Sequence, residues 1–245
     1  MYSINAKNEI MAHITEDVFS RKDIEDAAFI LIPDFTAGRT KNLIQDMLMS
    51  GTIHRAGRNK YVKGNDKRVY SPELSDEASE ILSVLTDKFP YLNFQIWELV
   101  WLNEFLNHLV ATNRFFVNVE NGGCEFVYTA LSNGYRDRLL LKPTGKEIDY
   151  YSTENGIIIE RLVSEAPSLP DHIPALETLI VELFAGKVLP SLISTSDYPD
   201  VLERMFSKYN VDQSRLFRYA RRRNKDKKIA EYIKNNTSIK LVVEV

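Results

Sequence analysis

The chain has 245 residues, of which 44% are hydrophobic and 27% charged, and its formal net charge is −3. These are ordinary globular values, and twelve Phe with twelve Tyr exclude general disorder. A single cysteine, Cys124, excludes an internal disulfide and a cysteine-based zinc site. Because no apolar run approaches twenty residues and the first residues lack an apolar signal core, we expect a cytoplasmic protein without a membrane span.

The charges are distributed unevenly along the chain. Residues 35–68 carry a charge of +6 and residues 208–245 carry +7, whereas residues 69–207 between them carry −12. Two basic ends therefore flank an acidic middle. This asymmetry is informative about binding partners even though the total charge is not.

The first seventy residues follow the order of a winged helix-turn-helix. Three helices are predicted over residues 7–15, 21–29 and 37–49, with Ser20 and Thr36 as N-caps of the second and third. Gly51 is placed to end the third helix. A basic hairpin follows, with strands over residues 52–56 and 60–63 and a turn at 57–59.

This order predicts a module that binds duplex DNA. The third helix has the size to enter a major groove, where Arg and Lys suit guanine or phosphate and Asn and Gln suit adenine. The hairpin would meet the backbone or the minor groove. The alternative is a winged helix that binds only protein. The residues predicted to contact DNA are Arg39, Thr40, Lys41, Asn42 and Gln45 of the helix and Arg55, Arg58, Asn59, Lys60 and Lys63 of the hairpin.

Residues 71–245 are predicted to form a second, larger domain. Helices alternate with strands in its first part, which favours a mixed sheet, and the part from Leu176 onward is helical. The fold class expected for the chain is therefore α+β. The predicted strands cover residues 93–100, 115–119, 138–141 and 157–162, and the predicted helices 75–88, 102–109, 125–133, 176–184, 198–209, 212–223 and 226–234.

No motif predicts catalysis, a metal or a cofactor. The four histidines lack the spacing of metal ligands, and no phosphate-binding loop or dinucleotide motif is present. Asp149, Glu154 and Glu160 surround two strand-like segments, as the acids of metal-dependent nucleases do. The lysine expected two residues after the second acid is missing, because Arg161 and Leu162 follow Glu160. A nuclease or phosphotransferase directed to DNA by its winged helix remains the alternative function.

Several motifs occur in an order that points to one family. They are the helix end Met49–Ile53, the hairpin Gly57–Val62, the helix Leu176–Phe184 after a strand and Pro167, and the closing helix Leu216–Arg223. In these motifs the chain resembles the AbiEi-like antitoxins, the regulators of type IV abortive-infection toxin–antitoxin systems. The hairpin lacks a second glycine near Asn59, and Thr178 replaces a basic residue of the family pattern.

This resemblance implies a two-part protein. The winged helix would bind operator repeats and repress its own operon. The C-terminal domain would counter a toxin that resembles a nucleotidyltransferase, and in that class toxin and antitoxin need not form a stable complex. The resemblance implies no catalysis by the antitoxin.

A basic face is also predicted near the C-terminus, where Arg215, Arg218, Arg222 and Arg223 recur at helical spacing. Three interpretations are open for this face. It could make a second DNA contact, it could hold the toxin or the toxin's nucleotide or RNA target, or it could be a solvated surface that balances the acidic middle of the chain.

Overall fold

The structure is a computed structural model, and it describes residues 2–64, 67–144, 146–148, 154–186 and 188–243. It has the predicted α+β class, with helices packed around two separate sheets. In the described part of the chain, no helix is long and apolar enough to cross a bilayer. Asp149 lies outside the described residues.

The N-terminal module contains three helices and a three-stranded sheet. Its strands are in the order β1–β3–β2, all antiparallel, and its core is built only from residues of the first 61. The elements are α1 (Ile4–His13), β1 (Val18–Phe19), α2 (Arg21–Leu31), α3 (Thr40–Met49), β2 (Ile53–Gly57) and β3 (Lys60–Lys63).

Two of the predicted helix ends are confirmed and one is wrong. Ser20 caps α2 in a reciprocal capping box with Asp23, and Gly51 follows α3 with a positive φ of 69°. Thr36 makes no side-chain cap, because a 3₁₀ turn over Ala37–Arg39 precedes α3. The third helix therefore begins three residues later than predicted.

The larger part of the chain is organised around a four-stranded sheet in the order β4–β5–β7–β6. Strands β5, β6 and β7 are parallel to one another, and β4 is antiparallel to β5. Its first elements are α4 (Asp76–Lys88), β4 (Phe94–Glu98), β5 (Arg114–Val119), α5 (Cys124–Tyr135), β6 (Leu139–Leu141) and β7 (Gly156–Arg161). The helices that follow are α6 (Leu176–Ala185), the single turn α7 (Leu189–Leu192), α8 (Tyr198–Lys208), α9 (Gln213–Arg222) and α10 (Asp226–Asn236).

Each face of this sheet has its own core. Helices α4 and α5 cover one face, and α6, α8, α9 and α10 contribute to the core on the other. Ser75 and Asp212 cap α4 and α9 through their side chains. The helix predicted over residues 102–109 is wrong. A 3₁₀ helix ends at Glu104, and the side chain of Asn103 then closes a loop by bonding both backbone groups of Val110.

The segment that joins the two parts is held against the larger one. Arg68 forms a backbone bridge with residues 208–210, in which its N–H donates to the Lys208 carbonyl at 2.8 Å. Tyr70 is buried in the core of the larger part, where its ring meets Tyr209 edge-on at 5.2 Å. The hairpin of the N-terminal module is thereby brought close to the C-terminal helices.

Candidate nucleic-acid interface

The exposed side of α3 carries three of the five helix side chains predicted to contact DNA. Lys41, Asn42 and Gln45 are exposed. At 100° per residue they fall within about 100° of one another around the helix axis, so they share one face. Met49, which is 74% exposed, continues the same face at the helix end. Arg39, in the 3₁₀ turn before α3, is also exposed, and its guanidinium donates to the Asp34 carbonyl.

Thr40 is a correction to the predicted DNA-contacting set. Its side chain is fully buried, and its hydroxyl donates to the Glu25 carboxylate at 2.6 Å. Thr40 therefore ties the start of α3 to α2 and presents no group to a ligand. Local sequence patterns do not indicate this partner, because fifteen residues separate the two positions.

A buried ion pair holds the other end of α3. The ammonium of Lys7 lies 3.0 Å from the Asp46 carboxylate and also donates to the Asp46 carbonyl and the Ser50 hydroxyl. A cation at this place complements the negative C-terminal end of the helix dipole. The hydrogen bond from Lys7 keeps the pKa of Asp46 below its usual value. Both ends of α3 are thus fixed to the module that presents it.

Asn59 forms the turn of the hairpin, and its side chain serves the fold. Its backbone has a φ of 55°, which asparagine tolerates better than most residues, and this explains why the turn needs no second glycine. Its side-chain carbonyl accepts a hydrogen bond at 3.1 Å from the backbone N–H of Arg21, the first residue of α2. The hairpin tip is therefore fastened to the module.

The hairpin tip also contacts the C-terminal region. The backbone N–H of Arg58 donates to the hydroxyl of Ser214 on α9, and the ammonium of Lys60 donates to the Val242 carbonyl. Gly57 lies so close to this region that a Cβ there would be 3.0 Å from the Val243 side chain. Lys60 was predicted to contact DNA, but its ammonium is already hydrogen-bonded within the chain and must leave the Val242 carbonyl before it can reach a phosphate.

A cleft of about 940 Å³ opens between the hairpin and α9, and basic side chains from both line it. Asp212 is the one acidic residue among those that line it, and its carboxylate is occupied in capping α9. We call this the hairpin–α9 cleft. Its basic residues are Arg55, Arg58, Lys60, Arg215, Arg218 and Arg221.

The hairpin arginines are the least engaged cations of the hairpin–α9 cleft. Within the described ranges neither Arg55 nor Arg58 is paired with a carboxylate, and Arg55 lies over the Tyr61 ring at 5.9 Å. Arg221 is 59% exposed and lies 3.8 Å from the Asp226 carboxylate, whose side chain is 23% exposed. Lys63, the last predicted hairpin contact, is half-buried and does not line the cleft.

The predicted C-terminal basic face is divided in the structure. Arg218 and Arg222 both contact Glu165, and Arg215 donates to the Ser168 carbonyl. Arg223 lies on another side of the helix, where it pairs with Glu182 at 2.7 Å and is only 22% exposed. Arg223 is therefore wrong as a member of that face, and Arg221, which lines the cleft, was missed.

Of the three acids considered for a nuclease, Glu154 and Glu160 are described by the structure, and they do not come together. Glu154 precedes β7 and Glu160 lies near its end, so about 20 Å of extended chain separates them. Burial raises the pKa of the Cys124 thiol, which is unlike an activated nucleophile. Among the residues that the structure describes, no group of three His, Cys, Asp or Glu side chains could hold a metal ion.

Comparison with known proteins gives a family match over most of the chain. Residues 40–239 match the model of the "Family of unknown function (DUF6577)". No curated protein shows significant sequence similarity. A solved structure, the RV2827C protein from Mycobacterium tuberculosis, aligns with 12% identity and a TM-score of 0.31, covering 89% of this chain and 71% of that one. This likeness is too remote to carry any argument.

Proposed function

We propose that this chain, which belongs to the DUF6577 family, binds duplex DNA through α3 and the hairpin–α9 cleft together. The observation that carries the proposal is the cleft itself. Basic residues from positions 55–60 and 215–221, which are distant in sequence, line one surface. The one carboxylate among the lining residues is that of Asp212, and it accepts hydrogen bonds as the cap of α9. A concave basic surface of this kind suits the phosphate backbone.

The two surfaces have different roles in DNA recognition. Asn42 and Gln45 on α3 are neutral, exposed amides that can bond adenine edges in a major groove. The arginines of the cleft carry no information about sequence but fix the position of the duplex through phosphates. We therefore assign sequence preference to α3 and most of the salt-dependent affinity to the cleft.

We further propose that DNA binding serves the regulation of a toxin–antitoxin operon. Support for this step is the resemblance to AbiEi-like antitoxins and the order of the motifs that carry it. The protein would then be a cytoplasmic autorepressor that binds operator repeats and counters a nucleotidyltransferase-like toxin, without being an enzyme itself. Arg218 lines the cleft as well as belonging to the predicted C-terminal face, so its reversal to Glu should weaken DNA binding in addition to any effect on neutralisation.

Selection of bound sequences from a random duplex library tests the first proposal. We expect one enriched motif, and we expect Asn42→Ala with Gln45→Ala to lose that preference while a cleft variant, Arg58→Ala, keeps it at lower affinity. Arg136→Ala is a matched control, since Arg136 is exposed on the larger part and outside both surfaces. Failure of the full-length protein to enrich any duplex, or equal loss in the control, would refute DNA recognition by these surfaces.

The regulatory proposal has a separate test in cells. The product of an adjacent nucleotidyltransferase-like gene should arrest growth when expressed alone and permit growth when this chain is expressed with it. A reporter behind the operon's own promoter should be repressed by the wild-type chain and released by Arg58→Ala. Growth arrest that this chain does not relieve would contradict the antitoxin role and leave DNA binding unaffected.

A further inference from the structure

A second cavity, of about 580 Å³, lies on the opposite side of α9 from the hairpin–α9 cleft. It opens at the carboxyl ends of the parallel strands β5, β6 and β7, beneath α6 and α9. Crevices at the carboxyl ends of parallel strands are the usual place for ligands in open α/β sheets. We call this cavity the sheet-edge pocket.

A row of polar side chains forms part of its lining. Gln95 on β4 is paired in register with Asn118 on β5, and Asn118 is paired with Glu160 on β7. Two residues away on each strand, toward the middle of the sheet, the same face carries Trp97, Phe116 and Ile158, which are buried in the core. The sheet face thus changes from apolar to polar where it reaches the pocket.

Gln95 supplies an acceptor without a partner. The residue is 3% exposed, and its amide nitrogen donates to the carbonyls of Ala166 and Pro167. Those two bonds fix the orientation of the amide, because a flip would place its oxygen against two carbonyl oxygens. Gln95 lines the pocket, and its buried side-chain oxygen has no hydrogen-bond partner among the described residues. Buried polar atoms are normally hydrogen-bonded, so we infer that a ligand donates a hydrogen bond to this oxygen.

The α9 side of the pocket supplies a buried hydrogen-bond donor that also has no partner among the described residues. Tyr219 and Arg223 both bond the Glu182 carboxylate, at 2.5 and 2.7 Å. Burial beside that carboxylate raises the pKa of Tyr219, so the phenol stays protonated and continues to donate. The Nε of Arg223 is buried and unpaired within the described ranges. The charge of Glu182 is thereby balanced, and Arg223 keeps one oriented donor.

We propose that the sheet-edge pocket binds a nucleoside monophosphate. Apolar side chains line part of it and offer a surface for a flat base. The side-chain oxygen of Gln95 and the side-chain nitrogen of Asn118 can bond base or ribose groups, while the Asn118 oxygen already accepts from the Trp97 indole. Lys142 and Arg161 supply positive charge for a phosphate. A free amino acid or a bare phosphate would leave most of this volume unfilled. The apolar lining residues are Pro143, Leu162, Val163 and Ala185.

Lys142 is available for this role despite its present contact. Its ammonium lies 2.5 Å from Glu125, but the two side chains are 48% and 60% exposed. Ion pairs this exposed contribute little and exchange readily. A phosphate at the pocket mouth can therefore take the place of Glu125.

Titration calorimetry with AMP, GMP, CMP, UMP and inorganic phosphate tests the proposal on the full-length protein. We expect at least one nucleotide to bind, to bind more tightly than phosphate, and to raise the melting temperature. Arg161→Ala and Gln95→Met should each weaken that binding by about tenfold or more, the range for a lost charged or buried hydrogen bond. Arg136→Ala, an exposed arginine outside the pocket, should leave it unchanged.

Arg161 is exposed, so its variant tests the pocket even if Gln95→Met fails to fold. The proposal is overturned if no nucleotide binds at millimolar concentration, or if binding survives Arg161→Ala unchanged. It is also overturned if phosphate alone binds as tightly as the nucleotides, because the base would then contribute nothing.

Discussion

Arg58 and Arg221 provide the sharpest test of the hairpin–α9 cleft, because they come from its two sides. Arg58 lies at the hairpin tip and Arg221 near the end of α9, and both side chains are exposed. If both contact phosphates of one duplex, each replacement by Ala should reduce the slope of log K against log salt by about 0.9, and the double variant by about 1.8. Each released counterion contributes more free energy at lower salt, so, with equal affinities at 1 M salt as the reference, the double variant should bind about 60-fold more weakly at 0.1 M salt and about 9-fold more weakly at 0.3 M.

Fluorescence anisotropy with a labelled duplex, measured over a series of salt concentrations, gives these slopes directly. The control is Lys88→Ala with Arg136→Ala, which removes the same total charge from exposed positions outside the cleft. Exposed substitutions of this kind change stability by about 0.5 kcal/mol or less, so misfolding would not imitate the effect. A slope that falls for Arg58→Ala but not for Arg221→Ala would refute the participation of α9. An equal fall in the control would mean that the loss of net charge, and not the cleft, causes the effect.

Three further predictions follow from particular contacts. Replacing Asn42 and Gln45 by Ala should remove about 1–3 kcal/mol of discrimination per lost base contact and leave the salt slope unchanged, as competition between selected and scrambled duplexes would show. Deleting residues 240–245 releases the Lys60 ammonium from the Val242 carbonyl, so the salt slope should increase by about 0.9 if Lys60 then reaches a phosphate. Burial raises the pKa of Glu177, so the Glu177→Gln variant should be more stable than wild type at neutral pH. Urea unfolding should show that this difference in the free energy of unfolding shrinks as the pH falls through the raised pKa of the folded state. The part of the difference that comes from ionisation should vanish below the pKa of Glu177 in the unfolded chain.

The local features of the fold were accessible from the sequence because short-range chemistry sets them. Ser20, Ser75 and Asp212 each precede a helix whose first N–H groups need an acceptor, and each caps it in the structure. Gly51 takes a positive φ where α3 ends. Asn103 shows the limit of such reasoning, because its bonds to Val110 close a loop inside a segment whose composition favoured a helix.

The site depended on long-range contacts that spacing does not encode. Helical periodicity shows which arginines of α9 share a side, but not which side meets the hairpin, so Arg221 was missed and Arg223 misplaced. Thr40 is polar and lies between the exposed Arg39 and Lys41, and its burial is explained by its hydrogen bond to Glu25 on α2. The polar row of the sheet-edge pocket depends on strand register across β4, β5 and β7, and no two of its residues are neighbours in sequence.

The two proposed sites share one helix, and this has a thermodynamic consequence. Arg218 and Arg221 on α9 line the cleft, whereas Tyr219 and Arg223 line the sheet-edge pocket. A nucleotide that binds Arg223 can change DNA affinity only if its affinity differs between the DNA-bound and free positions of α9. Any such coupling must be reciprocal, so a nucleotide that changes the Kd for DNA by some factor must have its own Kd changed by DNA by the same factor. We expect a factor of about 5 or more, measured by anisotropy with saturating nucleotide and by calorimetry with saturating duplex. A factor of one in both measurements would contradict coupling through α9 and would show that the two sites are independent.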